Sequence, residues 1–216
     1  MATLLHIDSS VSARDTSVSR GVTQTFRRTW AAHHPDGTVI YRDLAADPVA
    51  HITADAYAAG LADPRTHTAE QAAAFALRRR LIEELEQADA ILIDAPMHTY
   101  TIPSTLKAWL DNVILPGHTA AEDSTFAGTP TTVVTSRDLS YAPYTAEEGH
   151  DFVQNYLIAV LAHTLRLDVG FIVAEFTRAP RDPALAALLP LFEWSRDRAH
   201  LEAAARALAA ARYRAA

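Results

Sequence analysis

Short apolar runs alternate with helical stretches along the chain, and this alternation limits the possible folds more than any other feature. Residues 4–7 form an apolar run closed by Asp8-Ser9-Ser10, after which Val18, Val22, Phe26 and Trp30 recur every fourth residue, one stripe of a helix. Residues 38–44 read as a second strand. Residues 45–68, broken by Pro48, Gly60 and Pro64, read as a loop with a short helix around 54–61. The spacing of Ala74, Leu77, Leu81, Leu85 and Ala88 predicts a helix over 69–88. Residues 90–95 are apolar almost throughout, as in a strand covered on both faces. A helix over 102–114, a strand over 131–135, a helix over 151–167 and a fifth strand over 169–176 follow; the remainder is helical, with a break or kink at Pro190. Repeated strand–helix units predict an α/β fold of three layers. Its core is a five-stranded parallel sheet with right-handed crossovers, in the order 2-1-3-4-5. One domain over residues 1–216 is expected.

Composition removes several chemistries. The 216 residues include no cysteine, so disulfides, thiolate nucleophiles and Cys-ligated metals are excluded. A formal net charge of −7 without a basic patch argues against a nucleic-acid partner. No apolar run approaches the ~18 residues that span a bilayer. The opening segment Met1 to Asp8 lacks the basic region of a signal peptide. A cytoplasmic protein with no membrane partner is expected. No His-x-x-x-His or His/carboxylate spacing supports a metal site.

In a parallel sheet of this order ligands bind beyond the carboxyl ends of the strands, where the strand order reverses. Three strand-end loops meet there: residues 9–20, 96–100 and 136–139. The first is rich in hydroxyls and opens a helix near Ser17. It combines a helix N-terminus, an anion site in principle, with Ser10, Ser17 and Ser19 and with Arg14 or Arg20 for added charge. It has no glycine, so it is neither a Walker loop nor a dinucleotide fingerprint. The plainer reading is a solvated loop whose Thr16 or Ser17 caps the helix.

The second loop makes the comparison specific. Pro96-Met97 with an aromatic at Tyr100, then Ile102-Pro103-Ser104, Leu106-Lys107-Ala108-Trp109 and Asp111, resembles the FMN-dependent NADH:quinone oxidoreductase and azoreductase family, which has a flavodoxin-like fold. Ser9-Ser10 with Ser17-Val18-Ser19, Arg42-Asp43-Leu44-Ala45 with Pro48, and Thr135-Ser136-Arg137 are similar to family segments in the same order. The resemblance covers roughly residues 3–180. It implies an FMN cofactor whose phosphate is held by Ser10, Ser17, Val18 and Ser19. It also implies that Pro96, Met97, His98, Thr99 and Tyr100 run along the flavin ring, and that Ser136, Arg137, Asp138 and Leu139 meet its pyrimidine end. A homodimer with the flavin at the interface is implied as well, as is electron transfer from NADH or NADPH to a quinone or azo compound. Leu115 and Phe126 are candidates for the interface.

The chain departs from the family on the ring side. Where relatives read Pro-Met-Tyr-Asn-Phe, this chain has Pro96-Met97-His98-Thr99-Tyr100, a hydroxyl at Thr99 in place of an amide. Asp138-Leu139 stands in place of Gly-Gly, putting a branched side chain and a carboxylate where a flat ring would approach. After Gly117-His118-Thr119 comes Ala120, with Phe126 only later. An alternative activity therefore stands beside the redox one. In it His98 and Asp138 form a catalytic acid–base pair acting on a small aromatic or quinone-like metabolite without flavin, with Tyr100, Tyr141 and Tyr144 gathered at the mouth. A non-catalytic binding protein is a third reading, with no specific residue in its favour.

Overall fold

The computed structural model describes residues 1–13 and 15–212. Five strands, β1 (Thr3–Asp8), β2 (Thr38–Asp43), β3 (Ala90–Asp94), β4 (Pro130–Ser136) and β5 (Asp168–Ala174), form one parallel sheet in the order β2-β1-β3-β4-β5. This is the α/β flavodoxin-like architecture read from the sequence. The register sets Asp8 beside Asp43 and Ile7 beside Ile93, so the carboxyl ends of β1, β2 and β3 finish together.

Alternation along the strands sorts side chains into two layers. Leu5, Ile7, Ile91, Ile93 and Val133 face one side. There they pack against α3 (Ala69–Glu86), α4 (Ser104–Val113) and α5 (Phe152–Leu157) through Leu81, Leu85, Leu106, Trp109 and Leu157. Leu4, Leu92, Val134 and Ile172 face the other side, against Val22, Phe26 and Trp30 of α1 (Val18–His33) and Ala199, Ala203 and Ala207 of α6 (Leu189–Arg212). The alanines recur every fourth residue, so α6 offers a smooth stripe that lets it lie close against α1. The short α2 (Ala54–Leu61) joins α3 through a 3-10 turn, Pro64–Thr66, and Thr68 with Gln71 forms a capping box at the start of α3.

Three details sharpen or correct the sequence reading. Residues 151–167 are not one regular helix: Asp151 caps α5, which continues as a wider π turn over Ile158–Thr164 and stops at Arg166, where φ is +56°. At Pro190 the helical remainder is broken rather than kinked: a 3-10 helix over Pro183–Leu188 gives way to α6, and Pro190 sits in the first turn of α6, where a missing N–H costs nothing. Leu115 and Phe126, expected at an interface, are 7% and 3% exposed and belong to the core under α4. Among the described residues, no helix is long and apolar enough to cross a membrane, and no group of three or more His, Asp or Glu is placed to hold a metal ion.

Candidate active site

The carboxyl ends of β1 and β3 carry two buried acids, Asp8 (3% exposed) and Asp94 (fully buried). They fix the chain that leaves β1. The backbone N–H groups of Ser9 and Ser10 donate to Asp94 at 3.2 and 2.8 Å, and the Ser9 hydroxyl donates to the Asp94 carbonyl at 2.5 Å. The Ser10 carbonyl accepts from Arg20 Nη2 and Nε at 2.6 and 3.2 Å. Ser10 is therefore gripped at its N–H by an acid and at its C=O by a base. Arg20 in turn donates to both oxygens of Asp43 at 2.7 Å and to Asp8 at 3.4 Å. Such paired, bidentate geometry is what makes a buried guanidinium tolerable. Arg20, expected to lend charge to a bound anion, faces inward and is spent on this scaffold.

The three acids respond differently to this setting. The Arg20 guanidinium holds the Asp43 carboxyl down to about 2, helped by the N–H groups of Ala45 and Ala46. Burial would raise Asp8, but hydrogen bonds from His6 and Tyr41 and the charge of Arg20 outweigh it and leave its pKa lowered. Asp94 is pushed up to about 7, first by complete burial and then by the nearby Asp8 charge, against the pull of its donors.

Above this floor lies a cradle of hydroxyls. Ser10 Oγ accepts from the Ser12 N–H at 3.3 Å and from Ser17 Oγ at 3.0 Å. Ser17 caps α1 by accepting from the Arg20 N–H at 3.3 Å, and its hydroxyl lies 3.3 Å from that of Ser19. Val18 and Ser19 follow Ser17 as the first two residues of α1, and among the described residues no acceptor is found for their N–H groups. A cleft of about 140 Å³ opens here, with Ser10, Ser12, Thr16, Ser17 and Val18 as one wall. The loops after β3 and β4 supply the second wall: Pro96, Met97, His98, Ser136 and Asp138. They stay together because sheet-like pairing runs past the strand ends, Ala95 N–H to Val134 and Met97 N–H to Ser136. Thr177 and Arg181, beyond β5, close the third side.

The cleft thus gathers Ser10, Ser17, Val18, Pro96, Met97, His98, Ser136 and Asp138. Ser19 is fully buried behind Ser17 and acts at second hand. Thr99 and Tyr100 do not line the cleft; they are the exposed centre of a tight turn whose ends, His98 and Thr101, exchange both backbone hydrogen bonds. Both have positive φ, +49° and +69°. A β-branched residue there is strained, and asparagine is among the residues that tolerate it. Leu139 also lies off the cleft wall. Arg137 is turned away: its guanidinium is buried, pairs with Asp151 and Glu175, and stacks 5.3 Å over Tyr141. Arg14 lies outside the described residues.

His98 and Asp138 share the cleft without forming a pair. Asp138 accepts from the Thr177 hydroxyl at 3.2 Å, and no bond joins it to His98. Burial pushes the His98 pKa down from its ordinary value. Of the three tyrosines, Tyr141 lies over Arg137 and senses both Tyr100 and Asp138, Tyr100 packs at a tilt against His150, and Tyr144 is fully exposed. Sequence reasoning missed Asp94, Thr177 and Arg181. An acid closing the apolar run of β3 was the available signal for the first. The other two follow the fifth strand end, on the same rim of the sheet as the loops already singled out.

A parallel sheet of this order with a hydroxyl-lined cleft at the reversal of strand order is a flavodoxin-like arrangement. The family model of flavodoxin-like fold matches residues 2–189. An FMN-dependent NADH:quinone oxidoreductase from Streptomyces coelicolor is 65% identical over 207 residues, covering 96% of this chain and 94% of that protein. One of the same name from Streptomyces avermitilis is 64% identical over 208 residues, 96% of each. Among solved structures, an azoreductase from Bacillus anthracis str. Sterne matches with a TM-score of 0.80 at 18% identity, covering 96% of this chain and 99% of that one. An FMN-dependent NADH-azoreductase from Bacillus anthracis str. Ames Ancestor in complex with FMN gives 0.76 at 20% identity, covering 96% and 100%. These last two establish the shared fold. The chain belongs to the family of FMN-dependent NADH:quinone oxidoreductases, within the flavodoxin-like fold.

Two outcomes are expected. Thr99→Asn should raise stability by about 1 kcal/mol by relieving the left-handed turn, seen as a higher urea midpoint; an unchanged midpoint would show that the turn carries no strain. For Asp94 the folded chain retains a proton between about pH 4 and 7 that the unfolded chain releases. Its contribution is therefore complete below the unfolded pKa and is lost as pH rises through 7. Asp94→Asn, which cannot ionise, should gain in Tm over the parent between pH 5 and pH 8; a difference independent of pH would count against a raised pKa.

Proposed function

We propose that this chain is a cytoplasmic, homodimeric FMN-dependent oxidoreductase that passes electrons from NADH or NADPH to a quinone or azo compound. The observation that carries this reading is the hydroxyl-lined cleft at the strand-order reversal, in a chain 65% identical to a relative of that name. The donor set fits the phosphate end of FMN: hydroxyls of Ser10, Ser12, Thr16 and Ser17 and the first N–H groups of α1 all suit an anion carrying nearly two charges. FMN, when bound, supplies the two-electron exchange between the nicotinamide and the acceptor.

The chain's own residues would then divide the work. Ser10, Ser17 and Val18 hold the phosphate, with Ser19 orienting the Ser17 hydroxyl. Pro96, Met97 and His98 flank the flavin from the end of β3, with Ser136 and Asp138 beside them from the end of β4. The imidazole of His98, which lines the cleft, can hold or release a proton there. The flavin-free acid–base alternative needs His98 oriented by Asp138, and the two side chains line the cleft without a hydrogen bond between them. Dimer formation finds support in the exposed apolar Tyr57 and Leu61 on α2, 59% and 60% accessible.

Purified chain mixed with FMN should show a visible flavin band that NADH bleaches without oxygen and a quinone restores. The loaded protein should sediment at twice the chain mass. A chain whose addition leaves the absorbance and fluorescence of FMN unchanged would end this reading.

A further inference from the structure

Cations near the cleft are almost all committed. Arg20 is held by Asp43 and Asp8, Arg137 by Asp151 and Glu175, and Arg178 by Asp182 at 2.8 Å. Arg181 alone lines the cleft with no carboxylate in ion-pair reach among the described residues. Among the described residues its guanidinium makes one long hydrogen bond, Nη2 to the Thr177 carbonyl at 3.4 Å, close to the limit of a useful contact.

The backbone puts this arginine in place. After β5 the chain turns sharply at Phe176, where φ is +59°. Thr177 N–H then donates to the Arg137 carbonyl at 3.2 Å, and the Arg181 and Asp182 N–H groups close a tight turn onto Arg178. The turn leads into α6, which packs beside α1 on one face of the sheet. Arg181 therefore lines the same cleft as the start of α1 and its hydroxyls.

Charge makes the placement consequential. The chain carries a net charge of −7, and the cleft contains the carboxylate of Asp138. Hydroxyls and N–H groups donate to a phosphate but do not cancel its charge. We propose that Arg181 is the phosphate-recognising cation of this flavin site, the residue by which the chain prefers FMN to the unphosphorylated flavin. This rests on the FMN-dependent reading above.

The test is flavin-fluorescence titration of the full chain, freed of flavin, with FMN and with riboflavin, at low and high salt. Arg181→Gln should weaken FMN about fivefold, the upper range for an exposed ion pair, and leave riboflavin unchanged. It should also flatten the salt dependence of FMN binding. Arg181→Lys, which keeps the charge but not the planar fork, should fall between the two. An unchanged FMN constant in Arg181→Gln would overturn the proposal, whatever happened to the KM for NADH. Equal weakening of both flavins would also overturn it, because the contact would then be with the shared ring or with the fold. A parent chain that binds neither flavin would overturn the FMN-dependent reading itself, and the phosphate role with it.

Discussion

Ser10 is held from two sides, its N–H by Asp94 and its carbonyl by Arg20, and the rest of the site depends on that grip. Asp94 ends β3, Arg20 lies in the first turn of α1, and Asp43 ends β2. One residue therefore ties together three strand ends and the helix that begins the cleft. The Arg20–Asp43 pair is largely out of water, with side chains 5% and 21% exposed. Removing one member of such a pair strands the other's charge, which costs about 3 kcal/mol or more. The two-sided grip sets the position of Ser10 Oγ, which accepts from Ser17 Oγ, and Ser17 caps α1 at the edge of the cleft.

The layers around the sheet serve this arrangement. Large side chains on α1 pack over the strands, while the alanine stripe of α6 lets the two helices lie side by side. That contact carries the turn after β5 onto the same rim as the start of α1. On the other wall, pairing between the ends of β3 and β4 keeps Met97 beside Ser136. The Arg137 cluster with Asp151 and Glu175 anchors both ends of the 138–151 loop. The cleft is thus assembled from four strand ends, each fixed by buried polar contacts of its own.

Much of this was legible in the chain. The nearly unbroken apolar run of residues 90–95 marks a strand covered on both faces, and the order of elements located the reversal where Ser10, Ser17, Met97 and Ser136 meet. Other features were hidden for physical reasons. Arg20 reads as a free cation at a helix start because the strand that supplies Asp43 is distant in sequence. Arg137 reads as a ligand contact, whereas its partners Asp151 and Glu175 lie 14 and 38 residues further on. Asp94 looks like a simple strand stop. A π turn over Ile158–Thr164 places apolar residues at intervals that a 3.6-residue period fits nearly as well. Leu115 and Phe126 look available because they sit in a loop rich in turn residues, yet the loop folds them inward. Only long-range pairing distinguishes these cases, and local spacing does not encode it.

A double-mutant cycle on Arg20→Gln and Asp43→Asn, read as the FMN dissociation constant of folded, flavin-free protein, bears most directly on the grip at Ser10. Each single change should weaken FMN by about tenfold or more, the scale of a buried charge-assisted hydrogen bond. The double variant should bind about as poorly as the weaker single, because the two side chains act through one contact. Independent, additive losses, or singles that bind FMN as the parent does, would contradict the dependence of the cradle on this pair.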